Sequence, residues 1–161
     1  MRYASRGICF TKAGDLLETI RVLSDFHAAH RQLNYDGKCR YVHGHTWIGT
    51  FVLKAEQFPR NHLDMSIDFG HLKDILRHLD HKMMVCEQDE VFLKSGLFEP
   101  EGVVLIPGDS PSVENVANYC LERVIQVIRS EYPDRGISYD IEVTIQETDH
   151  NIFVVERSVT I

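Results

Sequence analysis

The chain has 161 residues, 43% of them apolar and 25% charged, which suits one globular domain with its own core and excludes a disordered or fibrous chain. Its 17 basic and 24 acidic residues leave a formal net charge of −7; this disfavours nucleic acid as a partner but permits an anionic small molecule. No apolar run reaches membrane-spanning length, and the opening MRYASRGICFTKAG lacks the continuous apolar core of a secretory signal, so no membrane partner and a cytoplasmic location are expected. In a reducing compartment the widely spaced Cys9, Cys39, Cys86 and Cys120 read as free thiols.

In chain order, ETIRVLSDFHAAH from Glu18 alternates as a half-buried strand, with Ile20, Val22, Phe26, Ala28 and His30 on one parity. A loop follows with a turn signal at Asp36-Gly37, and then HTWIGTFVLKA is rich in β-branched and aromatic residues, as a second strand would be. Phe69, Leu72, Ile75, Leu76 and Leu79 fall at helical spacing behind Asp68, a candidate N-cap, which leaves Asp80-His81 just past a helix end. Residues 82–108 read as loop with a short extended piece near VVLIP.

A clearer helix follows, with Ser110 as cap, Pro111 in the first turn, Glu114 favoured by the helix dipole, and an apolar stripe of Val113, Val116, Ala117, Cys120, Val124, Val127 and Ile128. The end of the chain reads as a hairpin: Tyr139, Ile141, Val143 and Ile145 share one face, and DHN turns the chain into IFVVERSVTI. Glu147 falls on the apolar row, where a carboxylate either escapes at the strand end or is buried with a partner. Strands, then helix, then strands predict an α+β protein whose antiparallel sheet carries helices on one face.

The stretch GKCRYVHGH carries the chemistry. On an extended segment His43 and His45 project to one side and can meet one metal ion, with Gly44 removing bulk between them. His30, at the inward end of the preceding strand, is the natural third ligand. Three neutral imidazoles leave Zn²⁺ its full charge as a Lewis acid. Cys39 has two readings: a fourth ligand that closes a structural site, or a nearby thiolate that acts as base or nucleophile. The plainer readings make Asp80-His81 a helix terminus, Glu147 a strand-end acid and Glu114 a helix-start acid. His27, His62, His71, His78 and His150 read as surface or packing residues, and Cys120 as core.

FHAAH, GKCRYVHGH, IDFGHLK, LDHK, PSVENVA and ETDHN, in this order, resemble the 6-pyruvoyl-tetrahydropterin synthase and 6-carboxy-tetrahydropterin synthase family over about residues 20 to 157. The whole of 1–161 then reads as a single domain of that kind, with 1–15 as an N-terminal extension. The resemblance implies the tunnelling fold: an antiparallel four-stranded sheet with two helices packed on one face, joined into an oligomeric barrel, as a homo-oligomer of two trimers. It implies a zinc-dependent lyase acting on the pterin triphosphate 7,8-dihydroneopterin triphosphate, with active sites at subunit interfaces. His30, His43 and His45 match the family's zinc ligands, and Cys39, Asp80 and His81 its catalytic triad. Glu147 matches the acid that grips the pterin, with Ser112 and Glu114 near the pterin pocket.

Two departures stand out. Many relatives carry threonine before the EN of the helix start, where this chain has Ser112 and Val113, so only Ser112 offers a hydroxyl. Three residues separate Cys39 from His43, a gap that resembles the 6-carboxy-tetrahydropterin synthases of queuosine biosynthesis, whereas ETDHN looks more like the pyruvoyl enzymes. The expected product is therefore 6-carboxy-tetrahydropterin with loss of triphosphate and acetaldehyde, and 6-pyruvoyl-tetrahydropterin is the alternative. Two readings from other classes are a non-catalytic zinc module closed by Cys39 and a hydrolase that uses Cys39 with His81 and Asp80.

Overall fold

The computed structural model describes residues 17–94, 96, 98–133 and 135–161, so the N-terminal extension and Cys9 lie outside the described residues. Strand β1 (Glu18–His30) follows its sequence alternation: Ile20, Val22, Phe26, Ala28 and His30 are buried on one side, while Arg21, Leu23, Asp25 and His27 face the other. Strand β2 (His43–Ala55) runs antiparallel along its whole length, from His30 opposite His43 to Glu18 opposite Ala55. It begins two residues before the β-branched stretch, because His43 and Gly44 already pair with His30 and Ala29.

Helix α1 (Phe69–Arg77) starts where expected, the Asp68 side chain accepting from the Gly70 N–H at 2.7 Å, and it buries Leu72, Ile75 and Leu76. It lies so close to β2 that a Cβ added to Gly49 would fall 2.4 Å from Leu76 Cδ2 and 2.8 Å from its Cδ1. Beyond α1 the extended piece near VVLIP is present as a strand, but the rest of the stretch departs from the expected loop. Strand β3 (Lys82–Val85), the five-residue helix α2 (Glu90–Lys94) and strand β4 (Val103–Leu105) occupy that stretch. β3 runs parallel to β1, with Lys82 opposite Ala28, and β4 runs parallel to β3.

Helix α3 (Val113–Glu131) is capped by Ser112, which accepts from the Asn115 N–H, and not by Ser110. Pro111 therefore precedes the cap. The buried face contains Leu121 and Ile125 besides the expected stripe, while Val113 and Val127 are only partly buried. Strands β5 (Ser138–Gln146) and β6 (Ile152–Thr160) complete the hairpin as read, with Tyr139, Ile141, Val143 and Ile145 buried.

The sheet order is β4-β3-β1-β2-β5-β6. The expected four-stranded antiparallel sheet with two helices is thus corrected, among the described residues, to a mixed six-stranded sheet with three helices. The added strands are short and parallel, and Met83, Met84 and Val85 are buried in succession, as parallel strands covered on both faces are. α1 packs on β1 and α3, and α3 packs on β5 and β6, around a core that includes Phe26, Trp47, Phe51, Leu53, Leu76 and Val124. Among the described residues no helix is long and apolar enough to cross a membrane.

Gly49→Ala is expected to lower stability by about 1–3 kcal/mol, because Leu76 is fully buried and has little room to withdraw. A lowered midpoint of chemical denaturation with unchanged slope checks this; an unshifted midpoint would show that α1 and β2 are not so closely apposed.

Candidate metal centre and acid–base site

The cradle is built from strand ends. His30 closes β1, His43 opens β2 directly opposite it, and His45 follows on the same side. Trp47 continues that row as the floor, 5.0 Å from the His30 ring and 5.5 Å from the His45 ring, with its indole N–H donating to the Ala28 carbonyl. The imidazole centroids are 4.6 Å (His30–His43), 5.3 Å (His30–His45) and 5.0 Å (His43–His45) apart. One ring nitrogen from each can be chosen so that all three lie within 4.8 Å of one another. Gly44 points to the opposite face, and a Cβ there would make an ordinary 3.5 Å contact with the Ala28 carbonyl. It is therefore not needed to clear space between the imidazoles, contrary to the sequence reading.

Hydrogen bonds select the free nitrogens. His30 Nδ1–H donates to the Pro111 carbonyl at 2.8 Å, and His43 Nδ1–H donates to the Tyr41 carbonyl at 2.8 Å. A carbonyl can only accept, so both rings carry their proton on Nδ1 and offer Nε2 as a lone pair, an orientation typical of metal-ligating histidine. His30 Nε2 and His45 Nε2 are buried without a hydrogen-bond partner, a costly state for a polar atom unless an ion takes the lone pair. Burial pushes the His30 pKa from its ordinary 6.5 down to about 4 against the pull of the Pro111 carbonyl. Burial likewise lowers that of His45, although Glu147 opposes the shift. Neutral imidazoles with free Nε2 atoms are what a divalent cation requires. The residues present therefore fit a metal ion.

Glu147 lies at this cluster, its Oε1 3.4 Å from His30 Nε2 and 4.0 Å from His45 Nε2. Its N–H donates to the Asn151 carbonyl across the β5–β6 turn, and its side chain is 17% exposed. The inward row thus carries it to the mouth of the cradle. Ser112 adjoins the Pro111 that holds His30, but its hydroxyl oxygen serves the α3 cap, and Glu114 is exposed on the first helical turn. Cys39 is exposed on a 3-10 turn (Lys38–Arg40), its carbonyl accepting from the Gln32 N–H at 2.7 Å. Its thiol is not one of the groups that converge with the histidines. Among the described residues Cys39, Cys86 and Cys120 are free thiols, and burial raises that of Cys120 to about 12, as a core position does.

Asp80 and His81 pair as the sequence order suggested, His81 Nδ1 lying 2.9 Å from Asp80 Oδ2. The other carboxylate oxygen accepts the His27 N–H at 2.7 Å, and the His81 N–H donates to the His27 carbonyl at 2.7 Å. The His27 N–H, followed by the hydrogen bond and charge of His81, holds the Asp80 carboxyl below its ordinary value. His81 has φ 57°, a left-handed conformation uncommon outside glycine. The pair flanks a cavity of about 690 Å³ lined by His27, Ala29, Gly44, Thr46, His81 and Phe98 among others. His27, Ala29, Gly44 and Thr46 have the parity opposite to the metal cradle, so within one chain the Asp80–His81 pair serves the helix-free face. Sequence reading missed His27 as a site residue, and the signal it offered was its place inside FHAAH.

The fold and cradle define an α+β protein with a three-histidine site for a metal ion. The family model for 6-pyruvoyl tetrahydropterin synthase matches residues 19–158, and the chain belongs to that family. A putative 6-carboxy-5,6,7,8-tetrahydropterin synthase from Pyrococcus abyssi is 30% identical over 116 residues, 63% of this chain and 70% of the relative. The 6-carboxy-5,6,7,8-tetrahydropterin synthase of Rickettsia bellii is 28% identical over 58% of this chain and 70% of the relative. Among solved structures, the Caenorhabditis elegans 6-pyruvoyl tetrahydropterin synthase aligns with TM-score 0.56 and 26% identity over 88% of this chain and 96% of that one. The Plasmodium vivax 6-pyruvoyltetrahydropterin synthase shares the fold, with TM-score 0.66 and 23% identity over 90% of this chain and 100% of that one.

The His30 shift gives a signed pH dependence for metal-free protein. Its folded value lies below the ordinary 6.5, so the unfolded chain binds the proton more readily. Stability from this group is complete above about pH 6.5 and falls as pH drops to about 4, by on the order of 3 kcal/mol. Denaturation midpoints of chelator-treated protein on either side of that window measure it. His30→Gln is expected to remove this slope, and retention of the full slope in that variant would count against a buried neutral His30.

Proposed function

We propose that the protein is a zinc-dependent lyase that converts 7,8-dihydroneopterin triphosphate and water to 6-carboxy-5,6,7,8-tetrahydropterin, triphosphate and acetaldehyde, the reaction that serves queuosine biosynthesis. The observation that carries this reading is the pair of buried, unpartnered Nε2 atoms of His30 and His45 beside the oriented His43, with Cys39 outside the cluster. That arrangement favours an open site over a structural one closed by Cys39. The 6-carboxy names of the relatives and the three-residue gap between Cys39 and His43 favour the carboxy product. The pyruvoyl product remains the second reading because of the ETDHN turn and the pyruvoyl name of the nematode structure.

His30, His43 and His45 hold the zinc, which when bound stabilises negative charge that develops as a carbon-bound proton leaves. Glu147 accepts the paired N–H donors of the pterin edge, a charge-assisted contact that fixes the ring. Ser112 and Glu114 border the same pocket at the start of α3. Cys39, or His81, takes and returns protons, and Asp80 fixes the tautomer and charge of His81. The active unit is a homo-oligomeric barrel, two trimers by family resemblance. In support, one chain presents the metal cradle and the Asp80–His81 pair to opposite faces of its sheet, so a neighbouring copy completes each site.

Incubation of zinc-loaded protein with 7,8-dihydroneopterin triphosphate, followed by mass spectrometry, is expected to yield carboxy-tetrahydropterin, triphosphate and acetaldehyde. Pyruvoyl-tetrahydropterin would establish the second reading, and no turnover by an intact metal-loaded protein would sink both. Cys39→Ala is expected to keep its zinc and its unfolding transition while turnover falls by about 10²–10⁴-fold. Loss of zinc in that variant would instead support the closed structural site. His43→Ala is expected to lose zinc, and a stoichiometric metal content there would overturn the ligand set.

A further inference from the structure

His27 belongs to neither the metal cradle nor the expected triad, yet its backbone holds both Asp80 and His81 and its ring lies beside them. Its N–H donates to Asp80 Oδ1 at 2.7 Å, its carbonyl accepts from the His81 N–H at 2.7 Å, and its Nδ1 lies 3.6 Å from the same Asp80 Oδ1. His81 Nδ1 is 2.9 Å from Asp80 Oδ2. One carboxylate therefore stands between two imidazoles whose centroids are 6.0 Å apart. Both imidazoles line the 690 Å³ cavity on the helix-free face and are accessible there, the side chains being 58% (His27) and 81% (His81) exposed.

The charges around the pair leave Asp80 as their shared counter-ion. The Lys82 amine from β3 is held by the Glu101 carbonyl. Glu99 also lines the cavity, Asp25 is two residues along β1 on the same side, and β2 contributes Gly44, Thr46 and the cradle residue His45. A second imidazolium in the pair would share one counter-charge with the first and be repelled by it.

We propose that His27 is a second acid–base residue of this site, sharing Asp80 with His81 so that the two imidazoles present an acid and a base to one cavity. The inference rests on the reading of Asp80–His81 as the proton-transfer pair of the lyase. That reaction removes a proton from one carbon and delivers one to another. The neutral imidazole takes the first on its lone pair and becomes imidazolium, and the protonated ring gives up its N–H proton, so the pair's proton count is unchanged over the step.

His27→Asn and His27→Gln keep the backbone contacts to Asp80 and His81 and remove only the titrating ring. In the full-length zinc-loaded protein, kcat for consumption of 7,8-dihydroneopterin triphosphate is expected to fall by about tenfold or more in both variants, with KM nearly unchanged. Added imidazole is expected to restore part of the loss, because the position is open to solvent. Wild-type kcat in both variants overturns the proposal, as does a loss that imidazole leaves untouched. If the unaltered protein consumes none of this substrate, the lyase reading fails, and the sharing of Asp80 is then read by NMR. At one fixed pH the His81 ring nitrogen signals are expected to move in both variants, because Asp80 loses its second imidazole neighbour; identical signals in all three proteins overturn the sharing.

Discussion

The register of β1 against β2 governs the metal cradle. Side chains alternate along a strand, so a slip of one strand by one residue would put His30 and the His43–His45 pair on opposite faces of the sheet. The same alternation buries Ile20, Val22, Phe26, Trp47, Phe51 and Leu53, and burying each side chain of this size is worth about 1.5–3 kcal/mol. A slipped sheet would forfeit most of that. The core that folds the hairpin thus also aims His30, His43 and His45, and Trp47 belongs to both, stacking on Phe26 below and flooring the cradle above.

A correct register alone would leave the His30 ring free to turn about its side-chain bonds. The segment before α3 prevents this. The Pro111 carbonyl takes the Nδ1 proton, the Ser110 hydroxyl donates to Gln32 just beyond β1, and the Asn115 amide donates to the Ser110 carbonyl. Gly108, at φ 111°, lets the chain turn under Asn115, where a Cβ would sit 2.5 Å from the Asn115 amide nitrogen. The beginning of α3 is thereby latched to the end of β1. This fixes His30 at the expense of a buried, unpartnered Nε2, a penalty of about 1–3 kcal/mol that a bound cation removes. Folding and metal affinity are coupled through that one atom.

The periodic parts of the sequence were legible. β1, β2, α1 and the terminal hairpin follow alternation or helical spacing, and the inward position of Glu147 follows from the count along β5. Strand parity already grouped His30, His43 and His45, and resemblance supplied the pairing of Asp80 with His81. What was illegible has physical causes. β3 is four residues long and buried in succession, so it carries no period by which a strand is recognised. Ser110 and Ser112 both satisfy the composition of an N-cap, and only the tertiary link from Ser110 to Gln32 decides between them. His27 has the parity of a surface residue, and its partners arrive from 53 and 54 positions further along the chain.

The separation of the two clusters by the sheet bears on how the proposed chemistry can work. Between them lie the buried side chains of Phe26, Ala28 and Trp47, although His45 also borders the cavity that His27 and His81 line. His81 nevertheless keeps a left-handed backbone, held by the parallel contact with β1, and such conformations persist only where the surroundings impose them. The imposed geometry turns the Asp80–His81 pair toward the helix-free face. That same face carries exposed Leu23, Ile152 and Val154, and the sheet ends in two edge strands, β4 and β6. Exposed apolar side chains and unpaired strand edges favour association with another chain. In the proposed reaction, association is what allows the cradle of one copy and the Asp80–His81 pair of another to reach the same substrate.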